Sequence, residues 1–588
     1  MNKIDIKSMS ISDVFKNFYV IPDYQREYVW EEKQVHQLLE DINEEYSSHN
    51  DSEYFIGSIV VCRGGDNIYE LIDGQQRLTT LFLCLCSFRK LLTDSEGYVS
   101  HINNMLFSET VDKHGKLNPA YRIDLQYEHS SEIVKQLSED NISQNNGSAS
   151  SKRIIDSYVY ITQFLERNFK QKDNLTTMLG FFLNNVRLVQ IEAPKISDAL
   201  KIFETINERG VGLNPMDLMK NLMFRQVEQE SFDKLKTEWK KITDTLEKIK
   251  EKPLRFLRYF IMANYNVRNV KGEEIIREDE IYEWITKKEN VQQCNYEEKP
   301  FEFVKFMQAN AEAYAMFLNG KDKEGNDNVY LDNIQRLSGS FRQHLMLLLA
   351  AKGLDKELFV HLARQIEVLI IHYIVTREPT REFERKFSRW AKEIKKINNK
   401  ESLNTFIENT LRPEVQSKAK DFENAMLQFD SYTLQQYRLR YILAKLTQYV
   451  DQQRLGSYED TNLTGYITKG IEIEHILPQT PEPELRKAFG EDYDEYKTKL
   501  GNLTFLEKPM NIVASNNFFE KKKPIYKTSK FYLTKSIAQL DIVGVNSSVT
   551  RINESLKSFD KWDKESIIER QQILSELAKR IWKVERIQ

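Results

Sequence analysis

At 588 residues, with 40% hydrophobic, 29% charged and 11% aromatic side chains, the chain has the balance of a folded protein with several cores, which excludes a disordered or fibrous one. A formal net charge of −4 excludes nucleic-acid binding through a globally positive surface, so any such contact must come from local basic patches. The four cysteines, Cys62, Cys84, Cys86 and Cys294, have no paired metal spacing and no disulfide framework, and read as small buried hydrophobes in a reducing compartment. The start, Met1-Asn2-Lys3-Ile4-Asp5, lacks the apolar stretch of a signal peptide, and the greasiest runs, Leu345 to Ala351 and Val368 to Val375, are short for a membrane span. A cytoplasmic protein without membrane contact is expected.

The first region, residues 1–230, mixes strand and helix signals. Ile21-Pro22-Asp23-Tyr24-Gln25-Arg26-Glu27-Tyr28-Val29-Trp30 packs amide, guanidinium and aromatic groups into a Pro-led loop before a helix from about Glu31. Two β-rich runs, Tyr54 to Val61 and Ile68 to Ile72, flank Arg63-Gly64-Gly65-Asp66-Asn67 and predict a hairpin. Leu78, Leu81, Phe82 and Leu85 then recur at helical spacing, which places Asp73-Gly74-Gln75-Gln76-Arg77 on a strand-to-helix turn.

Free N–H groups at a helix start beside an arginine make a phosphate cradle. Gly74 admits a close backbone approach, Gln75 and Gln76 offer amides, and Asp73 suits a metal or a ribose hydroxyl. The same five residues read equally as a turn and N-cap with Arg77 paired to a carboxylate. A Ser-, Asn- and Gly-rich stretch, Asn141 to Ser151, predicts a loop. A third polar cluster, Ala199-Leu200-Lys201-Ile202-Phe203-Glu204-Thr205-Ile206-Asn207-Glu208-Arg209-Gly210, joins one helix to the turn at Gly210 to Pro215, and a second helix follows from about Met216.

The Tyr-Gln-Arg loop, the Asp-Gly-Gln-Gln-Arg turn and the Phe-Glu-x-x-Asn-x-x-Gly segment, in this order, resemble the N-terminal domain of the GmrSD family of modification-dependent (type IV) restriction enzymes. The resemblance covers roughly residues 8 to 230. It implies a ParB-like, sulfiredoxin-like α/β domain that binds and hydrolyses a nucleoside triphosphate. The matching positions for nucleotide contact are Tyr24, Gln25, Arg26, Asp73, Gly74, Gln75, Gln76, Arg77, Thr79 and Asn207.

Residues 231–430 read as a helical connector. Leu235, Trp239, Ile242, Leu246 and Ile249 open a series of helical periodicities that continues over Phe341 to Ala351, Leu358 to Ile374 and Phe383 to Ile397, with a polar break at Gly320 to Asp327. Arg255, Arg258 and Tyr259 face either DNA or solvent on this reading.

The last region, residues 431–588, carries the chemistry. Ile471 and Ile473 alternate with Glu472 and Glu474, a half-buried strand that delivers His475 near its end. Leu503 and Phe505 alternate with Asn502 and Thr504 in a second strand, and Pro509 then favours a helix start carrying Asn511. A neutral imidazole can take a proton from water. Glu474 and the Asn511 side-chain oxygen are hard ligands for one magnesium or manganese ion, and Asn502 or a carbonyl near it would hold the imidazole tautomer. Lys508 to Lys535 holds seven lysines against one acidic residue, Glu520, and Lys521, Lys522, Lys523 and Lys527 are the expected contacts to the DNA backbone.

His475-x-x-Pro478, Asn502 and Asn511 are similar to the ββα-metal finger of HNH (His-Me) nucleases and to the C-terminal domain of the GmrSD family, over about residues 431 to 560. Many such nucleases have a second histidine or an aspartate where this chain has Asn511 and Glu474, and the zinc-bracing cysteines of some HNH domains are absent, since none follows Cys294. The expected whole is an α+β, predominantly helical protein. It comprises a ParB-like domain, a helical connector and a ββα-metal finger embedded in helices. The resemblance implies a nucleotide-regulated, metal-dependent endonuclease acting on double-stranded DNA of invading phage with modified bases, such as glucosylated hydroxymethylcytosine. A homodimer would let two single-strand cutters act on opposite strands. The competing readings are a nucleotide-dependent DNA-binding switch that does not cut, and an abortive-infection nuclease indifferent to base modification.

Overall fold

The computed structural model describes residues 4–22, 27–48, 52–65, 67–111, 117–126, 130–139, 149–196, 198–199, 202–203, 215–269, 272–457, 461–542, 544 and 547–588. The chain forms two compact units, Met1–Thr237 with Tyr296–Phe301, and Glu238–Asn295 with Glu302–Gln588. Both the helical stretch after residue 238 and the His475 region fall in the second unit.

The first unit is built on a mixed sheet. Its strands are β1 (Asp5–Ser10), β2 (Phe18–Ile21), β3 (Tyr54–Gly65), β4 (Ile68–Asp73), β7 (Ile123–Leu125) and β8 (Val186–Ala193), in the order β1-β8-β3-β4-β2-β7. A separate ribbon pairs β5 (Phe107–Val111) with β6 (Leu117–Tyr121). The β3–β4 hairpin is antiparallel, whereas β8 lies parallel to β3 and β2 parallel to β4.

Helix Gln75–Leu91 leaves β4 through Gly74, which sits at φ +91°. A β-carbon there would stand 2.6 Å from Ile59 Cγ2, so both the backbone angle and the space demand glycine. Leu78, Leu81, Phe82, Leu83 and Leu85 are fully buried, so this helix is apolar on nearly every side and runs through the core. Helix Glu32–Ser48 starts one residue after Glu31, and Pro215–Phe224 begins one residue before Met216. The Asn141 to Ser151 loop lies outside the described residues up to 148; Ala149 already begins the helix Ala149–Asn168.

The second unit is mainly helical. His344–Ala351, Lys356–Val375 and Thr380–Ile394 occupy the three expected periodic stretches. Lys356–Val375 is long and apolar enough to cross a membrane, with a mean hydropathy of 1.5, but 78% of that stretch is buried inside the fold. Helical spacing marked nearly its whole length, but as a continuous apolar run only its C-terminal half stood out, because Glu357, His361, Arg364 and Glu367 interrupt the rest. The DNA-facing option for Arg255, Arg258 and Tyr259 is corrected here. Arg255 pairs with Glu251 at 2.7 Å, Arg258 with Glu384 at 2.8 Å and with the Ile276 carbonyl at 2.7 Å, and Tyr259 is buried. Arg258 thereby ties its helix, Pro253–Asn264, to Thr380–Ile394, and Arg255 pairs with a residue just before that helix.

Within this unit β9 (Ile471–His475) pairs antiparallel with β10 (Leu503–Glu507), His475 opposite Leu503 and Glu474 opposite Thr504. Helix Lys508–Ala514 follows β10 directly, with Pro509 in its first turn. Strand, strand and helix therefore occur in the order read from the sequence. The core beneath them joins Ile476, Leu477, Leu506, Ala514, Tyr526 and Trp562.

Candidate active site

Two polar clusters are candidates, one in each unit. In the first unit, Tyr24, Gln25, Arg26 and Asn207 lie outside the described residues. The Asp-Gly-Gln-Gln-Arg turn is described, and its side chains are already engaged. The Gln76 Oε1 atom accepts from the backbone of Val29 at 2.8 Å and of Trp30 at 3.2 Å, and its Nε2 donates to the Glu27 carbonyl at 3.0 Å. One buried amide thus fastens the chain that follows Tyr24-Gln25-Arg26 to the helix start. This is a brace, where a nucleotide contact was expected.

Arg77 donates from Nη1 to the Ser58 carbonyl at 2.8 Å, and its guanidinium covers Gly57, where a β-carbon would come within 3.0 Å of it. Burial pulls its pKa down, with the Asp73 charge opposing. Gln75 is buried, and the buried Thr79 Oγ1 has no hydrogen-bond partner among the described residues. The helix N-terminus at Gly74 suits an anion.

In the second unit His475 ends β9 and leads into a tight turn. That turn is held from two sides. Asn502 accepts from Ile476 N through its carbonyl at 3.0 Å and from Leu477 N through Oδ1 at 2.6 Å, while its Nδ2 donates to the Leu477 carbonyl at 2.9 Å. Trp562 Nε1 also donates to Asn502 Oδ1, at 2.9 Å. The expected bond from Asn502 to the imidazole is therefore corrected: its amide is spent on the backbone after His475 and positions that residue indirectly. From the other side Lys522 Nζ donates to the carbonyls of His475 at 2.8 Å and Ile476 at 3.3 Å.

His475 is half-buried, and its Nε2 lies 3.0 Å from the side-chain nitrogen of Gln479, so in this orientation the ring accepts at Nε2 and carries its proton on Nδ1. Burial, then the charges of Lys522 and Lys497, push its pKa down to about 4. The ring is neutral at physiological pH, the form a general base needs.

Lys522 and Glu474 depart most from expectation. The Lys522 side chain is 0% exposed, with Nζ 2.7 Å from Glu474 Oε1. That oxygen also accepts from Tyr526 Oη at 2.6 Å. A lysine enclosed in this way cannot reach a phosphate, which corrects its expected role in DNA contact. Burial pulls its pKa down and Glu474 raises it. The alternation had put Ile473 inside and Glu474 outside, whereas the carboxylate is the more buried of the two. Glu474 Oε2 accepts from no described residue, so half of this carboxylate stays available.

Asn511 donates from Nδ2 to Glu472 Oε2 at 2.8 Å, and its Oδ1 is buried with no partner among the described residues. The chain thus offers an orphaned amide oxygen, the Glu472 carboxylate beside it and one free oxygen of Glu474. These are hard donors that fit magnesium or manganese. Among the described residues no group of three or more His, Cys, Asp or Glu side chains converges, so any such ion would complete its shell with water or phosphate oxygens, as magnesium commonly does.

The comparisons agree with this division. The model of the GmrSD restriction endonuclease N-terminal domain matches residues 7–224, and that of the C-terminal domain matches residues 416–577. The chain belongs to the GmrSD restriction endonuclease family. No curated protein matches it. In this GmrSD chain both polar clusters, the Gly74 turn and the His475 turn, lie inside a matched segment.

Sequence reading missed four residues that shape the second cluster. Glu472 was read only as the outward member of an alternating strand. Arg570 is buried and donates from Nη1 to the carbonyls of Gly501 and Leu503, each at 2.7 Å. Gln571 reaches Gly501 N with Oε1, and Trp562 completes the set around Asn502. The signal for Arg570 and Gln571 was polar residues on the buried face of the helix Lys564–Ile581, among Ile567, Leu574 and Leu577. Gly501 itself allows this packing, because a β-carbon would fall 2.3 Å from the Ile567 carbonyl. Around the cluster Lys521 and Lys527 are exposed, while half-buried Lys523 faces Asp560 at 3.4 Å.

Proposed function

We propose that this protein is a metal-dependent DNA endonuclease in which His475 is the general base. The observation that carries the reading is a neutral imidazole at the end of β9 on a turn braced by both Asn502 and Lys522. A base held by buried partners keeps its geometry through the reaction, which is what proton transfer to a positioned group requires. Water taking the place of the Gln479 amide at Nε2 would give up its proton there as its oxygen attacks phosphorus. The phosphorus–oxygen bond to the leaving strand then breaks.

Glu472, Asn511 and the free oxygen of Glu474 are the residues that would hold a magnesium or manganese ion. When bound, it would neutralise charge on the phosphate and the leaving oxygen. Exposed Lys521 and Lys527, with Lys523 at the edge, would contact the DNA backbone without reading sequence. On the same reading, the Gly74 turn with Arg77 binds a nucleoside triphosphate that licenses cleavage, and the natural target is phage DNA with modified bases. A homodimer acting on both strands completes the proposal.

A cleavage panel tests it: modified, phosphorothioated and plain DNA, each with and without magnesium and each nucleotide, for the native chain and His475→Ala. Metal-dependent cutting of modified DNA that disappears in His475→Ala is expected. Binding without cutting in every arm refutes the nuclease reading, and equal rates on modified and plain DNA refute the restriction target.

A further inference from the structure

The second unit holds a cavity that the proposed chemistry does not use. Helices Val329–Ser338, Lys356–Val375, Gln436–Leu455 and Lys564–Ile581, with the tail after residue 581, enclose about 620 Å³. That volume lies within the range that accommodates a nucleotide-sized ligand. Its charged lining is Arg364, Lys445, Arg580 and Lys583 against Glu367 and Glu585, an excess of two positive charges.

The carboxylates are already committed. Glu585 is shared by Arg364 and by Lys583, the latter at 3.1 Å. Glu367 is buried and takes both Nδ2 contacts of Asn333 at 3.2 Å together with the Tyr441 hydroxyl. Lys445 is left at 3.7 Å from Glu367, too far for a hydrogen bond, although its side chain is only 11% exposed. An ammonium so enclosed normally finds acceptors for its protons, and Lys445 donates to none among the described residues. Its Nζ opens onto the cavity, so its acceptors are whatever fills that space, water or a bound anion. Tyr449, Gln452 and Gln453 share its wall, which suits a ligand with a polar ring or hydroxyls as well as charge.

We propose that this cavity binds a phosphate monoester of about mononucleotide size, with Lys445 as its central contact. Two surplus positive charges match the dianion, and a phosphate offers the several acceptor oxygens that a three-donor ammonium and the Arg580 guanidinium can share. The same group is found on a free nucleotide and on the end of a nucleic-acid strand. The tail that carries Lys583 and Glu585 forms one wall, pinned where Glu585 N donates to Gln365 Oε1 at 3.1 Å and His361 meets the Glu585 carbonyl at 2.9 Å.

Calorimetry on the full chain tests this with three probes: adenosine monophosphate, guanosine monophosphate and a short 5′-phosphorylated duplex. Lys445→Met is expected to weaken binding by at least about tenfold, the loss of a charge-assisted hydrogen bond, while Lys445→Arg retains it. Lys583→Ala, on an exposed rim residue, should fold normally and weaken binding a few-fold. Running the series in an Arg77→Ala background separates this cavity from the triphosphate site: here the monophosphate affinity should not change. Lys445-dependent binding of the nucleotides assigns a free ligand, and of the duplex alone a strand end. No binding of any probe, or binding insensitive to both Lys445→Met and Lys583→Ala, overturns the proposal and leaves the nuclease reading untouched.

Discussion

Replacing Lys522 by methionine separates a structural role from a DNA-binding one. In the folded chain its Nζ sits 2.7 Å from Glu474 Oε1, 2.8 Å from the His475 carbonyl and 3.3 Å from that of Ile476, with no exposure. At an effective dielectric of about 20, two unit charges at such a distance attract by ~6 kcal/mol, much of it offset by the desolvation of both ions. The net worth of the pair is therefore small. Removing one partner is different, because the desolvated carboxylate remains; the expected loss is about 3–5 kcal/mol. Glu474 would then favour its protonated form, so the Lys522→Met variant should regain stability as pH falls, and Glu474→Gln in the same chain should restore much of it at neutral pH.

Scanning calorimetry is the appropriate assay, read on the transition of the second unit, since a chain of two units does not melt as one. A variant that melts like the native protein but binds DNA more weakly would refute the reasoning, and would put Lys522 on the surface as the sequence alone suggested.

Four further outcomes follow from the structure. His475→Ala should cut DNA about 10²- to 10⁴-fold more slowly while remaining folded, and an unchanged rate removes it from the chemistry. Because burial lowers the folded pKa of His475 to about 4, against 6.5 in the unfolded chain, its contribution to stability is complete above pH 6.5 and is lost as pH falls toward 4; the acid limb of the pH–rate profile should likewise lie near 4, and a midpoint at 6.5 contradicts a desolvated ring. Gln76→Ala removes a buried amide with contacts of 2.8, 3.2 and 3.0 Å, and should cost about 1–3 kcal/mol in the first unit while loosening the chain at Glu27 to Trp30, detectable by hydrogen exchange. Gly501→Ala places a carbon 2.3 Å from the Ile567 carbonyl and should cost about 1–3 kcal/mol, with reduced cleavage because Asn502 is displaced; a silent substitution would show that the last helix gives way freely.

Local pattern was enough for much of this protein. Alternation and turn residues located β3, β4, β9 and β10, and helical spacing located Gln75–Leu91, Phe232–Lys248, Lys356–Val375 and Thr380–Ile394, because each depends on residues a few positions apart; Ala149–Asn168, Pro300–Leu318, Gln436–Leu455 and Lys564–Ile581 were not read. The same local logic put Gly74 on a strand-to-helix turn and His475 at a strand end. It was also enough for an α+β, predominantly helical class.

What only the tertiary structure decided is which polar groups face one another. Alternation assigned Glu474 to the outside of β9, but Lys522, 48 residues later, supplies the counter-charge that lets it be buried. A lysine triplet reads as a solvated face until one member finds a carboxylate across the fold. Asn502 appeared aimed at an imidazole, yet Leu477 and Trp562, 25 and 60 residues away, take its amide. Glu472 gained its place beside Asn511 from the helix that follows β10, a contact spanning 39 residues. The residue types needed for the chemistry can be read from the chain in order. The partners that neutralise, orient or occupy them are chosen by packing, and burial makes every unpaired charge or amide costly enough to fix those choices.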